Sequence, residues 1–202
     1  MGAITKDTFK RLFLLYLINE FKDGVYGKLR LEKITYFIER EFDMKPFGYK
    51  WYHYGQYSEE LSAILEQLIS MGFVSSLPLD TGRGNKYKIR GEIQDYSLVI
   101  NIIPGLVKKI KQIVGIWGYA SEQKIINQAY DFKEIKGLEC NDKIFDENLS
   151  DKIELKNFDE DTCEELYLSF NPKFIASMEK INMGIEESDF DVSKVKKVES
   201  FI

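Results

Sequence analysis

One histidine and two cysteines in 202 residues remove most metal and nucleophile chemistry at the outset. Cys140, Cys163 and a distant His53 fall short of the four ligands of a tetrahedral zinc site. Two cysteines are also too few for a disulfide framework. No apolar run reaches the ~18 residues that a bilayer span needs; the longest candidate, 12-LFLLYLI-18, reads as a buried helix. The opening MGAITKDTFKR lacks a signal peptide's apolar core and cleavage site. Lys6 stands where a myristoylation site takes Ser or Thr. The 82-GRGNKYK-88 stretch lacks the Gly-Lys-Ser/Thr of a phosphate loop, and no Gly-x-Ser-x-Gly elbow occurs. Glu59 and Glu60 are adjacent, so on a helix they diverge rather than converge on a bond. These absences predict a soluble, cytoplasmic protein with no metal or cofactor and no enzymatic activity.

What is present is a folded chain. Hydrophobic residues make up 44% and aromatic residues 14%, well clear of a disordered composition. The net charge of −5 is unevenly spread. Residues 1–90 carry 14 basic and 11 acidic side chains, whereas 131–165 carry 5 and 13. Such asymmetry marks either a solvated linker or a region with a partner.

Helical spacing places a first helix over about Thr5–Lys22, with Thr5 as N-cap and Phe9, Leu12, Phe13, Tyr16 and Leu17 recurring. A second spans about Leu29–Phe42. Residues 47–54 alternate aromatic residues at period two and read as a strand. Ser58 caps a third helix that buries Leu61, Ile64, Leu65 and Leu68 and stops at Gly72. The stretch 73-FVSSLPLDTGRGNKYKI-89 reads as a β-hairpin. Pro104 opens a fourth helix carrying Leu106, Ile110, Ile113 and Trp117, and Ser121 caps a short fifth. Beyond these, 152-KIELK-156 and 166-LYLSF-170 read as strands, and Asn171-Pro172 starts a helix with Phe174, Ile175, Met178 and Ile181. The expected fold is α+β: a mostly helical, winged-helix-like core over 1–136 with a small antiparallel hairpin. Residues 137–202 follow as an acidic linker and a C-terminal α/β extension.

The segment 49-YKWYHYGQYSEEL-61 is the densest in rings. Aromatic residues fall on both faces of the strand, so either both faces are covered or one meets a partner. Trp51, Tyr52, His53, Tyr54 and Tyr57 are candidate contacts, with Tyr167, Phe170, Phe174 and Met178 from the extension. A hydrolase around His53 is a third-ranked reading, after protein and nucleic-acid binding.

A winged helix raises the question of DNA. The third helix offers Ser, Glu and Gln but no Lys or Arg, and phosphate contacts come largely from those two. Arg83, Lys86, Lys88 and Arg90 on the hairpin could grip a backbone instead. The alternative function is therefore a nucleic-acid-binding regulator working through the wing.

The series 28-KLRLEKITYFIE-39, 51-WYHYGQYSEEL-61 and 65-LEQLISMGFV-74 resembles the Panacea domain, also called the SocA-like antitoxin domain. Leu31, Lys33, Tyr36, Tyr54, Gly55, Tyr57, Ser58, Leu61, Leu68 and Gly72 fit its pattern, and 117-WGYASEQKIINQAYD-131 is similar to its closing helix. Gln56 departs from the family's usual proline. The resemblance covers roughly residues 8–131. It implies an antitoxin-like or phage-associated protein of the toxin–antitoxin type, binding and neutralising a protein partner, with a toxin or a protease as that partner.

Overall fold

Thr5 shows how local chemistry starts the fold: its hydroxyl accepts from the Thr8 amide at 3.2 Å and begins the first helix as expected. The computed structural model describes residues 2–80, 82, 84–91, 96–155 and 158–170. Through the first half the elements are β1 (Gly2–Thr5), α1 (Lys6–Asn19), β2 (Val25–Tyr26), α2 (Lys28–Glu39), β3 (Tyr49–Tyr52), β4 (Gly55–Tyr57), α3 (Glu59–Ser70), β5 (Val74–Pro78) and β6 (Asn85–Ile89). There follow α4 (Ser97–Ile100), α5 (Leu106–Trp117), α6 (Glu122–Tyr130), a 3-10 turn at Lys133–Ile135, β7 (Lys143–Phe145), β8 (Lys152–Leu155) and α7 (Glu160–Ser169). The fold is α+β. Among the described residues no helix is long and apolar enough to cross a membrane.

Among the described residues the pairings are antiparallel and form three small sheets. β1 pairs with β8, in register from Gly2 opposite Leu155 to Thr5 opposite Lys152. A second sheet has the order β2-β6-β5, with the expected hairpin as its β5–β6 part. The third has the order β4-β3-β7.

The core forms around α1 and α2, which are enclosed rather than one-sided. In α1, every residue from Thr8 to Ile18 except Arg11 is buried; in α2, every residue from Leu31 to Glu39 is. α2 packs against α5, α6, β2 and β4, while α1 meets α3, α4, β1 and β6. A helix enclosed on every side must also bury its charges, so Lys10, Glu32, Lys33 and Glu39 lie in the interior. An amphipathic reading, which leaves one face to water, does not foresee this.

The C-terminal part differs from the expectation in two ways. The acidic stretch beyond residue 136 contributes β7 to the β3 sheet and β8 to β1, so its strands complete sheets begun before residue 60. Second, 166–170 is not a strand, since α7 runs through Ser169. Asp159 Oδ1 accepts from the Thr162 amide at 2.8 Å at its start. Cys163, Leu166 and Phe170 are all buried, at the helical spacings of three and four. The helix expected from Asn171-Pro172 lies outside the described residues.

Candidate functional site

The aromatic segment is a hairpin rather than one long strand. β3 turns through His53 and Tyr54, and Gly55 re-enters the sheet at φ +94°, in the left-handed region that favours glycine. The register sets Lys50 opposite Tyr57, Trp51 opposite Gln56 and Tyr52 opposite Gly55. Strand alternation then divides the side chains. Tyr49, Trp51 and Gln56 share the inner face, and Lys50, Tyr52 and Tyr57 share the outer one.

The inner face is fixed by rings and by a buried polar framework. Tyr49 lies 5.2 Å from Tyr36 and 5.4 Å from Phe145, centroid to centroid. Trp51 meets Tyr130 edge-on at 4.9 Å. Lys33 Nζ donates to the Gln56 carbonyl at 2.5 Å, and Gln56 Nε2 donates to the Ala129 carbonyl at 2.7 Å. Glu32 holds the start of α3: its two oxygens accept from the Ser58 amide and the Ser62 hydroxyl, each at 3.0 Å. Ser58 in turn accepts from the Leu61 amide at 3.1 Å, as its capping position requires. Glu39 accepts from the Phe47 amide at 2.9 Å, and Lys10 pairs with Glu60.

Burial dominates the electrostatics of this framework. It pushes the Glu32 carboxyl up to about 7, against the pull of the Ser58 and Ser62 hydrogen bonds. It brings the Lys33 ammonium down to about 8, against the attraction of Glu32. Glu39 is held well above the usual carboxylate range by burial, opposed by the Phe47 amide. Each of these groups is enclosed and bonds at least one main-chain partner, Glu32 also accepting from the Ser62 hydroxyl, while Glu39 Oε1 is buried without a hydrogen-bond partner among the described residues; the main-chain contacts give the set an architectural role.

The outer face is open. Tyr54 at the turn is 73% exposed and Tyr52 39%. His53 is exposed, and Trp51 and Tyr57 are half-buried. Tyr52 lies 4.5 Å from the His53 ring and 5.6 Å from Tyr57, centroid to centroid. Lys50, beside them, pairs with Glu59 at 2.6 Å. Five of the expected contact residues are thus gathered on one hairpin.

The remaining candidates are not gathered there. Phe170 is a correction: at 1% exposure it packs on Phe73 at 5.1 Å and Tyr96 at 6.3 Å, in the core rather than at a surface. Phe174, Met178 and Arg83 lie outside the described residues, as does the Tyr167 side chain. Lys86 is half-buried with its ammonium 4.8 Å over the Tyr26 ring, while Lys88 and Arg90 are exposed. These three belong to or follow β6, in a different sheet from the rings.

Sequence reading missed Tyr130 and the 139–142 turn. Tyr130 is 43% exposed and extends the ring cluster from α6. The turn is tied to β3 by the Trp51 amide donating to the Asp142 carbonyl and the Asn141 amide donating to the Trp51 carbonyl, each at 2.7 Å. Neither contact is local in sequence, so no motif could announce it. Among the described residues no group of three or more His, Cys, Asp or Glu side chains could hold a metal ion. Comparison with models of known protein families, with curated proteins and with solved structures finds no match.

Proposed function

We propose that the chain is a non-enzymatic, antitoxin-like module that binds a protein partner on the outer face of the β3–β4 hairpin. The observation that carries this reading is the set of exposed rings at Tyr52, His53 and Tyr54 on a rigidly anchored turn. Exposed Tyr clusters match the aromatic enrichment at the centres of protein interfaces. Anchoring by Lys33, Glu32 and Gln56 presents them with little ordering left for a partner to impose.

The winged-helix-like reading of residues 1–136 draws support from the sheet order β2-β6-β5 together with α1, α2 and α3, the β3–β4 hairpin being inserted between the second and third helices. The Panacea-like reading is supported by what its motif residues do. Lys33 bonds the Gln56 carbonyl beside Gly55, Ser58 caps α3, and Tyr36 donates to Glu134 at 3.0 Å. Gln56, where the family usually has proline, replaces ring stiffness with a hydrogen bond to α6.

The test is capture from the native host with the full chain and with a Tyr52→Ser/Tyr54→Ser variant. A protein retained by the parent and lost by the variant supports the reading. Equal capture by both refutes it. Salt-releasable nucleic acid, lost on Lys88→Glu/Arg90→Glu, would favour the second reading, which rests on the exposed Lys88 and Arg90 of the wing.

A further inference from the structure

An open groove of about 450 Å³ runs between α4 and α5, lined by Ser97, Leu98, Asn101, Val107, Lys108 and Lys111. Its walls are held from below, since α4 packs on α1 and α5 on α2. Asn101 Oδ1 accepts from the Gly105 amide at 3.3 Å and fixes the turn between them. The groove joins apolar surface to positive charge. Leu98 is 66% exposed and Val107 half-buried. At about 100° per residue, Val107, Lys111 and Lys108 follow one another around a single side of α5. Both lysines are exposed, and α5 carries no acidic residue. Lys111 reaches Glu20 at 4.0 Å, and Lys109 turns away to Glu41. Lys108 makes no ion pair among the described residues.

The chain leaves the described residues beside this groove. Phe170, the last of them, packs on Tyr96 at 6.3 Å, and Tyr96 directly precedes Ser97 and Leu98. From there 171–184 lead to 185-IEESDFDV-192, which holds four carboxylates, an aromatic ring and no basic residue. The fourteen residues of 171–184 cover ~20 Å even at the helical rise and up to ~50 Å fully extended. We infer that the α4–α5 groove docks this acidic stretch of the same chain. Phe190 lies against Leu98 and Val107, and the flanking carboxylates meet Lys108 and Lys111. The basic run 194-KVKK-197 would meet those lysines as repulsion, so it does not fit the groove. None of the groove residues belongs to the β3–β4 hairpin, so the inference stands apart from the partner reading above.

The experiment follows amide hydrogen exchange of residues 185–192 by mass spectrometry in the full chain. In the parent these amides should be protected equally at low and high protein concentration. Lys108→Glu/Lys111→Glu should speed their exchange about three- to tenfold. Adding Glu186→Lys/Glu187→Lys/Asp189→Lys/Asp191→Lys to that variant should restore slow exchange, because the charges are then reversed on both sides. Phe190→Ser, and Leu98→Ser on the groove side, should each speed exchange about tenfold. Urea midpoints confirm that the groove variants remain folded. Exchange at the free-chain rate in the parent overturns the inference. So does protection indifferent to both Leu98→Ser and Lys108→Glu/Lys111→Glu, or no recovery on charge reversal. Protection that grows with protein concentration would seat the tail of a second copy in the groove and overturn the same-chain occupant.

Discussion

The Lys33 ammonium donates to the Gln56 carbonyl at 2.5 Å, beside Gly55, and so fastens α2 to the hairpin that presents the exposed rings. Lys33 is a lysine on which the proposed Panacea-like reading draws, and its contact is with main chain. Lys33→Ala leaves the buried Gln56 carbonyl without this donor. It should destabilise the protein by about 1–3 kcal/mol in urea unfolding and speed amide exchange at Trp51 and Gln56. A loss smaller than about 0.5 kcal/mol would show that the contact is not structural.

Gly55 admits a second perturbation of the same hinge. Its φ of +94° disfavours any side chain, and a Cβ there would stand 3.1 Å from Lys33 Nζ. Gly55→Ala should cost about 1–3 kcal/mol. Because both substitutions act on one contact, the double variant with Lys33→Ala should lose less than the sum of the single losses. Full additivity would separate the turn from the lysine.

The buried framework sets the direction of pH dependence. Glu32, raised to about 7, binds its proton more tightly when folded. Its contribution is fully present below the ordinary glutamate range and is lost as pH rises to about 7. Glu39, also raised, acts in the same direction. Lys33, lowered to about 8, acts oppositely: its contribution is present above the ordinary lysine value and is lost as pH falls through about 8. Urea midpoints should therefore decline from pH 5 to pH 7, and Glu32→Gln should flatten that decline. An unchanged slope in Glu32→Gln would contradict the assignment.

The two thiols should react in sequence. Cys140 is exposed, and Cys163 is buried, its thiol pushed up by burial and by the nearby Asp159 carboxylate. A thiol reagent should consume one equivalent promptly and the second slowly. Gly2 packs so closely on α7 that a Cβ would overlap Cys163 Sγ and the Asp159 carbonyl. Gly2→Ala should consequently speed the slow phase without altering the fast one.

Local signals made the helices legible. Thr5, Ser58 and Ser121 each cap a helix as their sequence context predicts, and the Pro/Asp/Gly/Asn turn marks the β5–β6 hairpin. The fourth expected helix exists but begins at Leu106, after Gly105 at φ 82°, with Pro104 left in the preceding turn. What stayed hidden depends on distant pairing. β1 and β7 are short and find their partners across more than eighty residues, so neither carries a periodic pattern of its own. The 166–170 stretch alternates as a strand does, yet Cys163, outside that window, completes a helical stripe. The exposed rings were readable from 49-YKWYHYGQY-57. Their anchoring by Glu32 and Lys33 was not, because a helix buried on all sides gives its charges no distinguishing position.

The pairing of Thr5 with Lys152 also orders events in time. During synthesis at roughly 5–20 residues per second, β8 follows β1 by roughly 7–30 s. For that interval α1 can collapse with α2 and α3, but the strand leading into it has no ladder partner. A nascent chain halted before residue 152 therefore carries an open β edge, and β8 acts as the clasp that ends this vulnerable period.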